Sequence, residues 1–221
     1  MKKMAFIGTG VMGGALARAA CKGCDPKDIV VTDYDSEKAR AFAEETGAEY
    51  VATNAEAVKS SKFILIGVKP QVGEAVLSEI GPVVKECIEN GEEKIIVSIM
   101  VSVSTDTIGQ WLGVDVNIPV IRTLPNVAAN VGKCITLCTN NAFVTDEIFE
   151  EYKDILRFSG SFEVLPEKKM YAGSVITGCG PAYVCMFIEA LADGGVMTGL
   201  TRAQAQKFAI DTIIGTASLI E

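Results

Sequence analysis

Gly8-Thr9-Gly10-Val11-Met12-Gly13 has the spacing G-x-G-x-x-G and directly follows the apolar run Met4 to Ile7. The three glycines act differently. Gly8 permits a tight turn, Gly10 lets backbone approach a diphosphate, and Gly13 lets a helix pack close to a strand. Amides left unpaired at the start of that helix, together with its dipole, then hold an anion. The chemistry expected of Gly8, Thr9, Gly10, Val11, Met12 and Gly13 is therefore dinucleotide binding. Asp33 stands twenty residues beyond Gly13, at the end of the next apolar run. A carboxylate there accepts a hydrogen bond from a ribose 2′-hydroxyl and repels a 2′-phosphate. At about 4 Å the repulsion is roughly 4 kcal/mol for an effective dielectric of about 20, and less once screened. Asp33 thus favours NADH over NADPH as cofactor, unless Lys38 or Arg40 swings in to neutralise the phosphate.

Other stretches carry candidate groups with two readings each. Lys69, in Val68-Lys69-Pro70, follows an apolar run at the edge where open parallel sheets bind ligands, and it reaches either ligand or only solvent. Arg122-Thr123-Leu124-Pro125-Asn126 closes a later apolar run. Thr177-Gly178-Cys179-Gly180-Pro181-Ala182-Tyr183 reads as a small-residue loop feeding a helix. Such a loop either places amides beside a carboxylate or nicotinamide, or is a tight bend. Cys21-Lys22-Gly23-Cys24 has redox or zinc spacing, but it closes a helix, where the dipole disfavours a thiolate. Cys134 and Cys138 share one face of a strand with no second ligand pair, so the cysteines read as packing residues and no metal is expected.

These groups need elements to hold them. Short β-rich runs alternate with helical patterns up to about residue 123, which predicts an α/β fold with a doubly wound, mostly parallel sheet. The strands are expected over Met4–Gly8, Ile29–Asp33, Tyr50–Ala52, Phe63–Val68, Ile95–Ile99 and Asn117–Thr123, with Cys134–Thr139 and Phe162–Leu165 beyond. Helices are expected over Val11–Lys22, Ser36–Thr46, Asn54–Lys59, Val72–Ile88, Thr105–Leu112 and Asp146–Phe158, the last opening on an acidic cap. After Pro166 the pattern is helical throughout. Pro181 suits a first turn, and Thr201 with Gln204 forms a capping box. This divides the chain into residues 1–164, a dinucleotide-binding domain, and 165–221, a helical domain. The apolar faces of the two helices in that second part need a partner, which implies oligomerisation or a chain shortened at Glu221.

Composition excludes several function classes. The 221 residues are 49% hydrophobic and 22% charged, as a globular chain of one or two domains requires. A net charge of −8 argues against nucleic-acid and anionic-membrane partners. Histidine is absent, so imidazole acid/base chemistry and Ser-His nucleophiles are excluded. Seven scattered cysteines in a chain this long predict reduced thiols and a cytoplasmic location. Glycines at 8 and 10 break the N-terminal apolar run before it reaches signal-peptide length, and nowhere do about 18 consecutive apolar residues suggest a membrane span.

Together these motifs resemble the pyrroline-5-carboxylate reductase family over essentially the whole chain. The resemblance is carried by the Gly8 to Gly13 turn, Asn54, Val68-Lys69-Pro70, Arg122 to Asn126, and Gly178-x-Gly180-Pro181-Ala182-Tyr183 continued by Phe187-Ile188-Glu189-Ala190-Leu191-Ala192-Asp193-Gly194. It implies a Rossmann-type domain, a helical C-terminal domain that dimerises by interlocking helices, and often a ring of dimers. It implies hydride transfer from NADH or NADPH to the C=N carbon of 1-pyrroline-5-carboxylate, giving L-proline. By resemblance, Gly8 to Gly13 and Asn54 hold adenosine and phosphates, and Val68, Lys69 and Pro70 lie near the nicotinamide ribose. Pro125 and Asn126 line the nicotinamide pocket, and Thr177, Gly178, Cys179 and Gly180 face the substrate. The chain departs from the family pattern at Met100-Val101-Ser102, at Leu124 to Ala128, at Thr177 to Gly180, and at Asp33, where NADPH users carry a small polar residue. The family's later Ser-Pro-Gly-Gly-Thr-Thr signature, which grips the substrate, is not among these residues; if 221 is the true terminus, cofactor binding is expected to be kept and substrate grip weakened. A reductase of another imine or keto acid on the same scaffold, and a non-catalytic dinucleotide-binding paralogue, fit the same motifs.

Overall fold

The central strands are buried along nearly their whole length, their successive residues facing opposite sides of the sheet, and that dictates the architecture. In the computed structural model, which describes residues 1–114 and 117–220, strand β1 (Lys2–Ile7) sends Met4 and Phe6 into one hydrophobic cluster and Ala5 and Ile7 into a second. None of the four is more than 2% exposed. A strand apolar on both faces needs helices on both. The first cluster is covered by α1 (Val11–Gly23), α2 (Ser36–Thr46) and, later in the chain, α6 (Asp146–Ile155). The second is covered by α3 (Asn54–Ser60), α4 (Pro70–Glu89) and α5 (Thr105–Leu112).

With β2 (Ile29–Thr32), β3 (Glu49–Tyr50), β4 (Ser61–Ile66), β5 (Ile95–Ser98), β6 (Val120–Leu124), β7 (Cys134–Asn140) and β8 (Gly160–Val164), the sheet runs in the order β3-β2-β1-β4-β5-β6-β7-β8. Among the described residues, β7 alone is antiparallel to its neighbour β6; the other pairs are parallel. The order reverses direction between β1 and β4, and such a switch point opens a crevice beyond the carboxyl ends of the strands. The doubly wound, mostly parallel sheet is as expected.

Local signals account for most boundaries. A capping box of Thr53 with Glu56 starts α3, and Ser104 accepts from Thr107 N–H to start α5. The cap of α6 is not acidic as expected: Thr145 accepts from Ile148 N–H, and Asp146 and Glu147 fill the first turn, where they meet the positive end of the dipole. That helix stops at Ile155 and gives way to a 3₁₀ turn over Arg157–Ser159 rather than continuing to Phe158.

The chain divides into two compact units, Met1–Thr177 and Gly178–Glu221. In the first, α7 (Glu167–Ser174) follows the sheet. In the second, α8 (Gly180–Met197) and α9 (Arg202–Ser218) pack together, with Ala192, Ala205 and Ala209 buried and Arg202 ion-paired to Glu189 and Asp193. Phe187 and Leu191 of α8 and Phe208 of α9 are exposed in the single chain. The capping box of Thr201 and Gln204 is present, while Glu221 lies outside the described residues.

A further expectation is corrected. Thr177 to Gly180 is not a loop: Val175–Cys179 form a π turn and Gly180 begins α8. Glycine and proline there suggested a break, but Pro181 sits in the first turn of α8, where a missing N–H is tolerated. The helical run Glu167–Met197 is also long and apolar enough to cross a membrane, with a mean hydropathy of 1.6 over its best window. A search for uninterrupted apolar residues misses it because glycine, serine and a few charged residues punctuate the run.

Candidate functional site

The switch-point crevice is a cleft of about 820 Å³ lined by Gly8, Gly10, Asp33, Asn54, Val68 and Lys69. The fold thus brings together six positions drawn from the glycine turn and from the starts or ends of four other elements. Gly10 caps α1 without a side-chain hydrogen bond, and no acidic residue occupies the first turn. The helix N-terminus is therefore left with unpaired amides and an unopposed dipole. A Cβ added at Gly10 would meet no atom within 4 Å, so the missing side chain leaves open space above those amides. That space suits a diphosphate, and the chain's residues fit a dinucleotide there.

The rest of the turn is structural support. Gly8 has φ +103°, and a Cβ on it would lie 2.9 Å from the Gly67 backbone. Gly13 packs beneath Gly8. Val11 opens α1 and is 76% exposed, whereas Met12 packs on the core. Thr9 is buried; its N–H and hydroxyl donate to Asp33 Oδ2 at 2.6 and 2.9 Å. Pairing thus turns Thr9 toward Asp33 and makes it that residue's anchor.

Asp33 lies one residue past β2 and is fixed on both carboxylate oxygens, Oδ1 accepting from Asp35 N–H at 3.1 Å. Burial opposes its charge, but the Thr9 and Asp35 amides, the Thr9 hydroxyl and the Lys38 ammonium 3.9 Å away together hold its carboxyl below the ordinary 3.8. A charged, oriented carboxylate therefore faces the cleft. Arg40 does not reach it here; its guanidinium lies 4.4 Å over the Tyr50 ring.

Asn54 opens α3 and its Nδ2 donates to Glu79 Oε2 at 3.0 Å. Lys69 caps α4 as an exposed residue, and Pro70 follows as its first helical residue without lining the cleft. Sequence reasoning missed Val72, Val76 and Glu79, which line the cleft from α4. Their spacing of four and three residues marks one helix face and was available as a signal.

Pro125 and Asn126 lie at the carboxyl end of β6 but do not line this cleft. Asn126 is buried, and its Nδ2 donates to the Thr177 carbonyl at 2.7 Å. Gly178, Cys179 and Gly180 belong to the second unit. Another residue missed is Glu167, whose Oε1 accepts from Arg122 Nη1 at 3.0 Å and from Thr105 N–H at 2.9 Å. No spacing in the sequence connects these three. Burial raises the thiols of Cys21 and Cys24 and pushes Cys138 up to about 12, which is the opposite of what a nucleophilic thiolate needs.

With this geometry in place, comparison with known proteins adds independent findings. Residues 3–102 match a family model described as NADP oxidoreductase coenzyme F420-dependent, and residues 167–221 match pyrroline-5-carboxylate reductase dimerisation. The pyrroline-5-carboxylate reductase of Synechocystis is 36% identical over 99% of this chain and 79% of its own length. Among solved structures, the pyrroline-5-carboxylate reductase of Coxiella burnetii superposes with a TM-score of 0.88 at 25% identity, covering 99% of this chain and 79% of the other. The Plasmodium falciparum pyrroline carboxylate reductase with NADP bound gives 0.82 at 25% identity, covering 99% and 78%.

Proposed function

The chain belongs to the pyrroline-5-carboxylate reductase family, and from that premise we propose that it reduces 1-pyrroline-5-carboxylate to L-proline with a reduced nicotinamide dinucleotide. The observation that carries the reading is the cleft over the uncapped start of α1, where Gly10 leaves open space above the helix amides and the Asp33 carboxylate lines the wall. The α1 amides and Gly10 hold the phosphates, Asn54 and Asp33 the adenosine end, and Val68, Lys69 and Pro70 the nicotinamide ribose. Pro125, Asn126 and the backbone from Thr177 to Gly180 serve the nicotinamide and the substrate. The α8 and α9 faces are the dimer surface, with a ring of dimers as the larger assembly, in the cytoplasm and without nucleic-acid or membrane partners.

The chemistry suits a chain without histidine. What the bound dinucleotide supplies is a hydride for the C=N carbon; the imine nitrogen arrives already protonated, so no side chain has to deliver a proton. The protein has to hold two partners in register, and orientation alone lowers such barriers by roughly 7 to 11 kcal/mol. The test is loss of reduced-nicotinamide absorbance on adding 1-pyrroline-5-carboxylate, with proline as product. Turnover only with other imines or keto acids, or cofactor binding with no turnover at all, overturns the reading.

We further propose that NADH is the preferred cofactor. Asp33 is charged and pinned by Thr9, so it cannot rotate away from a 2′-phosphate without losing both bonds. Lys38, 3.9 Å from it, offsets part of the repulsion. The expected result is a kcat/KM ratio favouring NADH over NADPH, and an Asp33→Ser variant in which that ratio moves toward NADPH by about tenfold or more. Equal ratios in the two proteins would sink the assignment.

A further inference from the structure

We propose that Asn126 is a positioning residue: its carboxamide holds the Thr177 carbonyl and so sets the helical turn Val175–Cys179 that presents backbone to the substrate. The inference rests on the reading above that this turn serves the substrate. Pro181 has no N–H, so the Thr177 carbonyl four residues earlier lacks its α-helical donor. At the same place the helix widens into a π turn, a geometry that is rare and concentrates at functional sites. Asn126 fills the vacancy, Nδ2 donating to Thr177 O at 2.7 Å.

The orientation of that carboxamide is determined by its neighbours. Its Oδ1 accepts from Ala128 N–H at 3.0 Å, which caps the 3₁₀ turn Val127–Val131. Turned over, it would set an N–H against the Ala128 N–H and an oxygen against the Thr177 oxygen. The backbone below is held as well, Asn126 N–H donating to the Sγ of buried Cys134 at 3.1 Å. One side chain thus ties the carboxyl end of β6 to the last turn of the first unit. Only a group with an acceptor on one side and a donor on the other does both, which is why asparagine and not aspartate stands here.

The experiment is a kinetic cycle on the full chain. Asn126→Asp keeps the acceptor for Ala128 and removes the donor for Thr177. Pro181→Ala supplies a backbone N–H that lets the π turn close into α register, where that N–H takes the Thr177 carbonyl. The expected result is a kcat with 1-pyrroline-5-carboxylate lowered about tenfold or more in Asn126→Asp. The double variant should recover most of the lost kcat. Wild-type kcat in Asn126→Asp, or a loss that Pro181→Ala leaves untouched, overturns the proposal. Should Asn126→Asp not fold, hydrogen exchange of the ¹⁵N-labelled wild-type carboxamide decides: one slowly exchanging Nδ2 proton supports the clamp, and two fast ones refute it. A wild-type chain inactive on 1-pyrroline-5-carboxylate refutes the functional reading, while the exchange measurement still judges the clamp.

Discussion

Replacing Gly13 by alanine is expected to raise the Kd for reduced nicotinamide dinucleotide by about 100-fold or more, because small misplacements of preorganised groups are that costly. The new Cβ would sit 2.1 Å from the Gly8 carbonyl oxygen, and neither side can yield cheaply. Gly8 is tied by its N–H to Thr32 O at 2.8 Å, and Gly67, packed against it, is tied to Ile7 O at 2.8 Å. Three adjacent strands therefore brace the turn, so the strain must go into α1, whose first amides leave their positions over the cleft. Overpacking of this kind also costs about 1 to 3 kcal/mol of stability. Gly10→Ala provides the contrast. Its methyl meets nothing in the free protein, so it should leave the urea midpoint unchanged while filling the diphosphate space and weakening binding. Calorimetric titration beside urea unfolding separates the two; a Gly13→Ala protein that binds like wild type would refute the assignment of this turn.

Removing the carboxylate in Glu167→Ala should destabilise the protein by about 3 kcal/mol, at the low end of what breaking a buried pair costs because Glu167 is partly exposed. Arg122 is 7% exposed, and its Nε already lacks a partner. Its Nη2 donates to the Val101 carbonyl, and its charge is met by Glu167 at 3.0 Å. The same carboxylate takes the N–H and hydroxyl of Thr105, at 2.9 and 3.1 Å, in the first turn of α5. Alanine thus strands a buried cation and leaves two donors unpaired at once. Glu167→Gln keeps an acceptor but not the charge and should lose about half as much. Urea midpoints at constant slope measure both. A Glu167→Ala midpoint equal to wild type would show that water replaces the carboxylate and that Arg122 is less buried than the contacts indicate.

The candidate site was legible to different depths. That the glycine turn and Asp33 meet at one cleft could be read directly, because the G-x-G-x-x-G spacing at a helix start and an acidic residue ending the next strand are both local in the sequence. Val72, Val76 and Glu79 carried a helical spacing, but nothing marked that face as the one over the cleft. Asn126 with Thr177, fifty-one residues apart, and Arg122 with Glu167, forty-five apart, left no local trace. The π turn was misread because Gly178, Gly180 and Pro181 are breakers by propensity, and propensity is overridden where packing supplies the missing bonds.

By itself the sequence determined the alternation of strands and helices, the two-sided apolar strands that require a doubly wound sheet, and the dinucleotide fingerprint, since each depends on period and spacing within about thirty residues. The tertiary structure alone decided what each polar group pairs with: Thr9 turned to Asp33, Asn54 on Glu79, Asn126 on the Thr177 carbonyl. Such pairings are settled by which chain ends the sheet order brings to one edge, and that information appears only once distant segments share a core.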